Sequence, residues 1–114
     1  MTPEAQRIAI AEACGWKRRA DLDYMHVDEW RKIWERDGYL THNLPDYLND
    51  LNAMHKAEGV LTDSAACLGY EFLLREITER DQGPSHWMGL ASHATAAQRA
   101  EAFLRTLNLW RDET

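Results

Sequence analysis

Along the first fifteen residues, Ile8 and Ala11 lie three apart, with Ala5 and Cys14 extending the same stripe, so the spacing predicts one buried helical face. The ends of that segment are marked as well. Thr2 can cap, Pro3 fits the first helical position, Glu4 complements the helix dipole, and Gly15 suits a left-handed residue after the last turn. A helix is therefore expected over residues 3–14. The next stretch reads two ways. Trp30, Ile33 and Trp34 fit helical spacing, whereas Trp30, Lys32 and Trp34 fit the alternation of a strand. A short strand is expected near 16–19, residues 28–36 stay open between helix and strand, and Gly38 ends the element.

From Leu44 the helical period returns. Leu44, Leu48, Leu51 and His55 share a face, with Tyr47 and Met54 at its edges, Pro45 and Asp46 at a helix start and Gly59 at its stop. Thr62 or Asp63 can cap a further helix on which Ala66, Tyr70, Leu73 and Ile77 recur at turn spacing. "DQGPS" breaks that helix, and "HWMGLASH" is short enough to read as a strand. In the last segment Thr95 and Gln98 form a capping box, Ala100, Phe103, Leu104 and Leu107 form the stripe, and Asn108 with Leu109 can close a Schellman end. The expected helices span 45–57, 63–80 and 96–107 besides the first, with strands near 16–19 and 86–91 and a third in the open stretch.

A chain of 114 residues, 45% hydrophobic and 28% charged, suits a single globular α+β domain rather than a disordered segment. Its formal net charge of −6 opposes any general coating of nucleic acid, which needs cations against phosphates. The two cysteines form no CxxC pair, which suits a reducing cytosol and offers neither a disulfide framework nor a zinc signature. The first residues lack the basic and apolar blocks of a signal peptide, and no apolar segment approaches the ~20 residues of a membrane span. A cytoplasmic protein without a membrane segment is expected.

"IAEACGWK", "LPDYLNDLNAMHKAE" and "ATAAQRAEAFLRTLNLW" together resemble the phage ABA sandwich domain family, small bacteriophage and prophage proteins of unassigned activity. The likeness covers Ile8 to Lys17, Leu44 to Glu58 and Ala94 to Trp110, and is weak over 18–43 and 60–93. It implies a single-domain α–β–α sandwich with a small sheet and helices on both faces, and it brings no catalytic residues with it. The resemblance also implies a phage or prophage accessory protein at work in the bacterial cytoplasm, directed at a host factor or a defence system.

Candidate chemistry is sparse. Asp46 and Asp50, four apart, would share a helix face and could hold a hard cation or pair as acid and base; otherwise Asp46 serves the helix start, while Asn49, Asp50 and Asn52 bond nearby backbone. The second reading is preferred, because no further carboxylate spacing supplies a metal's remaining ligands. Histidines 26, 42, 55, 86 and 93 form no HxH or HExxH arrangement, and His55 on the apolar stripe reads as a hydrogen-bonded core residue. Cys14 and Cys67 read as packing residues. No cofactor is implied.

"WKRR" and "WRKIWER" stand apart. They interleave Trp16, Trp30 and Trp34 with Lys17, Arg18, Arg19, Arg31, Lys32 and Arg36, a composition that can stack a base and pair a phosphate. The alternative is a half-buried aromatic layer with arginine stems lying over it. Because the helices do not need Trp30, Arg31, Lys32 and Trp34, residues 16–42 are expected to form a partner-facing surface. Three classes of function follow: binding of a host or phage protein, with self-association through the tryptophans as a variant; binding of a small nucleotide or signalling molecule; and, last, an enzyme of unknown class.

Overall fold

The structure, a computed structural model, describes residues 1–21, 33–82 and 94–112. Its elements run α1 (Pro3–Ala13), β1 (Lys17–Arg18), β2 (Trp34–Arg36), β3 (Tyr39–Thr41), α2 (Leu51–Glu58), α3 (Ser64–Gln82) and α4 (Ala96–Thr106). The chain is thus a mixed α+β domain with four helices and a small antiparallel sheet of order β1–β2–β3 among the described residues.

Local chemistry explains where most of these elements begin and end. Thr2 accepts a hydrogen bond from the Ala5 N–H at 3.1 Å, with Pro3 in the first turn. Gly15 takes φ +98°, and the Trp16 N–H reaches back to the Ala11 carbonyl at 3.0 Å, the long bond of a Schellman end. The same motif closes α4: Asn108 sits at φ 59° and the Leu109 N–H donates to the Leu104 carbonyl at 2.8 Å. At the start of α4 the Thr95–Gln98 capping box is complete, with bonds of 2.9 and 3.1 Å. Asp63 opens α3 by accepting from the Ala65 N–H.

In the stretch that read two ways, residues 34–36 are strand. Trp34 pairs with Thr41 and Arg36 with Tyr39, so Asp37 and Gly38 form a two-residue hairpin loop. Both have positive φ, 51° and 81°, which is the type I′ turn whose twist matches the strands it joins. Residues 28–32 and the strand expected at 86–91 lie outside the described residues.

The helix expected from Pro45 starts later, at Leu51. Asp46 accepts the Asn49 side-chain amide and, through its carbonyl, the Asp50 N–H at 2.9 Å, closing a turn instead of a first helical turn. Asp50 is the true cap, its carboxylate taking the Asn52 N–H at 2.9 Å. Asp46 and Asp50 therefore do not share a helix face. The later start also changes which side of α2 is buried. Met54 and Ala57 are buried while Leu51 stands 44% exposed, so truncating Leu51 has little burial to remove.

The central packing element is α4, which contacts α1, α2 and α3. One side of it joins Ile10, Ala11, Tyr47, Met54, Trp16 just before β1 and Trp34 of β2 around Phe103 and Leu104. The other side, through Ala102, meets Tyr70, Leu74 and Ile77 of α3. In α1 the fully buried residues are Ile10 and Ala11, with Ile8 only half-buried. No helix among the described residues is long and apolar enough to cross a membrane.

Candidate interaction surface

Of the seven residues expected to bind, four are described: Trp16, Arg18, Arg19 and Trp34; Trp30, Arg31 and Lys32 lie outside the described residues. Trp16 and Trp34 are core side chains, 6% and 8% exposed. Burial follows from the Schellman end of α1, which turns Trp16 inward, and from the pleat of β2, which puts Trp34 inward and Glu35 on the opposite face, with Arg36 on Trp34's face at the exposed end of the strand. The Arg36 guanidinium lies 4.8 Å from the centre of the Trp16 ring, and Tyr39 meets that ring edge-on at 6.3 Å. The described part of the segment is thus the aromatic layer with an arginine over it, and the faces of Trp16 and Trp34 are not open platforms.

The arginines are also engaged. Arg18 Nη1 donates to the Ile33 carbonyl at 3.1 Å, bracing the strand pair. Arg19 holds the Asp21 carboxylate through Nε and Nη2 at 3.0 and 2.9 Å and donates to Glu35 as well. What remains open beside Trp34 is a cavity of about 320 Å³ whose lining includes Arg7, Ile8 and the exposed His42.

A polar node joins three helices on the far side. Glu58, at the end of α2, accepts the Tyr70 hydroxyl, Arg99 Nη1 at 3.2 Å and, on its other oxygen, His55 Nδ1 at 2.6 Å. Burial, reinforced by the bond to Glu58, pushes the Tyr70 hydroxyl well above its ordinary value, so it remains a donor. Arg99 also donates to the Ala94 carbonyl at 3.3 Å. Both Glu58 oxygens therefore have donors, and the node clamps α2, α3 and α4 together. Sequence reading missed it because Arg99 stands 41 positions from Glu58, with no local signature joining them. His55, expected in the core, is exposed, because α2 packs through Met54 and Ala57 and His55 lies off that side. Cys67, also expected to pack, is exposed and donates to the Leu61 carbonyl at 3.0 Å; Cys14 is half-buried against the core. Histidines 26, 86 and 93 lie outside the described residues, and among those described no group of three His, Cys, Asp or Glu could hold a metal.

Among the described residues, the most exposed apolar side chain on any helix, Leu68, lies on α3. Leu68 is 69% exposed and Phe72 63%, the two highest values among the large apolar residues besides Tyr39. They are four residues apart and so adjacent on one helix face. At 3.6 residues per turn that face lies about 160–200° around the helix from Tyr70, the side already buried against α4. Exposed Glu71, Arg75, Glu76 and Glu79 surround the pair. The surface is an apolar ridge in a mostly acidic frame. Sequence reading found the buried stripe of α3 and passed over the ridge, although Leu68 and Phe72 already stood half a turn from it.

Compared with protein-family models, with curated proteins and with solved structures, the chain has no match.

Proposed function

We propose that this protein is a non-catalytic binding protein that docks a protein partner on the outer face of α3. The observation that carries this reading is the pair Leu68 and Phe72, side by side in water on a helix whose other face is already satisfied. Burying one such side chain contributes about 1.5–3 kcal/mol, and the fold makes no use of either. Four-residue spacing forms a ridge that fits the groove of a crossing helix. With Glu71, Glu76 and Glu79 beside one arginine, and −6 overall, the complementary occupant is an amphipathic helix with basic flanks.

The resemblance of residues 8–17, 44–58 and 94–110 to phage ABA sandwich proteins supports a phage or prophage accessory role, with a host factor or defence component in the bacterial cytoplasm as target. Outer α3 falls in the stretch that the resemblance scarcely covers. Proteins sharing a scaffold accommodate different partners where they differ, and this placement agrees with that.

A photo-crosslinking phenylalanine analogue at position 72, introduced in bacterial cells, tests the reading. The expected result is one discrete adduct mapping to a helical segment with Lys or Arg flanks, lost on Leu68→Asp and weakened by high salt. Adducts that persist in Leu68→Asp contradict it. An adduct with a second copy of the chain assigns the face to self-association instead.

A further inference from the structure

On the opposite side of α4 from α3, Cys14, Arg36, Tyr47, Asp50, Asn52 and Lys56 are among the residues lining a cavity of about 310 Å³. It lies between the C-terminal end of α1, the β2–β3 hairpin and one side of α2, with Lys56 in the last turn of that helix. We propose that this cavity binds a small phosphate monoester, its phosphoryl group held between Arg36 and Lys56.

The charge pattern is the first support. Arg7, Arg19, Arg80, Arg99 and Arg105 each carry a carboxylate partner. Lys17, Arg36, Lys56, Arg75 and Arg111 meet no carboxylate among the described residues, and of these Arg36 and Lys56 face one cavity in a chain of net charge −6. An acidic protein that leaves two cations converging on one hollow has a local anion site against its overall field. Arg36 is also pre-organised. Its guanidinium is stacked on Trp16, and its stem passes within 3.8 Å of where a Cβ on Gly15 would sit. Stacking fixes the plane and leaves the N–H edge available for a bidentate grip on two oxygens.

A protonated inner wall is the second. The buried Trp16 indole N–H is directed at the Tyr47 hydroxyl, although it makes no hydrogen bond of full geometry. The indole adjoins the Tyr47 hydroxyl, which adjoins the Cys14 thiol. Burial pushes Tyr47 up to about 12 and raises Cys14, so both keep their protons at neutral pH. Of these three, Tyr47 and Cys14 line the hollow as neutral groups, and Trp16 stands behind them. The one acid lining the hollow, Asp50, already accepts the Asn52 and Ala53 N–H groups as the cap of α2, where the helix dipole offsets its charge. Two cations and neutral donors suit a dianion better than a single carboxylate, and the volume leaves room for a short organic group beyond the phosphate.

The site is independent of the α3 ridge and is tested apart from it. Inorganic phosphate, then acetate and chloride at matched ionic strength, are titrated while the Trp16 indole N–H is followed by NMR. Phosphate should give a saturable shift there, with acetate binding at least tenfold more weakly. The Arg36→Gln, Lys56→Gln double variant should lose at least tenfold in phosphate affinity, while Leu68→Asp leaves it unchanged. Both cations are exposed, so the fold should tolerate their loss; Lys56→Gln alone, which spares the stack on Trp16, provides the same comparison if the double variant is unstable. A shift that never saturates, that chloride reproduces, or that keeps its midpoint in these variants overturns the proposal.

Discussion

Glu101 shows how single residues in this chain carry both fold and charge. Its carboxylate, 11% exposed, accepts Arg80 through Nη1 and Nη2 at 2.8 and 3.0 Å and Arg105 through Nε at 2.8 Å. Burial pushes its pKa up, but the bonds from Arg80 and Arg105 outweigh that and leave the group below its ordinary value of 4.5. A carboxyl with a depressed folded-state pKa contributes stability above its unfolded value and loses it as pH falls through the folded one. Glu101→Gln should therefore cost about 1–3 kcal/mol at pH 7, as charge-assisted bonds become neutral ones. That difference should shrink steadily below pH 4.5, where the unfolded chain's carboxyl takes up its proton while the native one stays ionised, until the native one is protonated too. Urea unfolding of both proteins at neutral pH and in this acid range checks it, and an equal difference at both would contradict it.

At the scale of elements, legibility followed how local the signal was. The caps at Thr2 and Thr95, the left-handed Gly15 and Asn108, and the buried stripe of α4 depend on neighbours within six residues and were readable. The start of α2 was not, because Pro45 and Asp46 carry the composition of a helix start in what is a turn leading to one. The Asp37–Gly38 hairpin was present as a dipeptide but was overshadowed by the helical spacing of Trp30, Ile33 and Trp34. Substitution separates the two starts of α2. Asp50→Ala removes the observed cap and should cost about 0.5–2 kcal/mol, whereas Asp46→Ala should stay within about 0.5 kcal/mol. Denaturant midpoints decide it: a larger loss at Asp46 would place the start at Pro45.

For the whole molecule, long-range pairing determined what was hidden. The aromatic–arginine segment looked like a binding surface because its composition suits one, and tertiary packing turned Trp16 and Trp34 inward. The ridge on α3 was implicit in the spacing of Leu68 and Phe72, whereas the Arg36–Lys56 hollow emerges only once helices and hairpin are assembled around α4. The central claim is that Leu68 and Phe72 serve binding and not folding. A Leu68→Asp, Phe72→Asp double variant tests it most directly, with thermal unfolding and partner capture measured on the same preparation. The account predicts a melting temperature within about 3 °C of the parent, as for substitutions away from a core, together with loss of affinity capture of the partner that crosslinking identifies in the parent. A fall of about 10 °C or more, or a complex that survives, would contradict it.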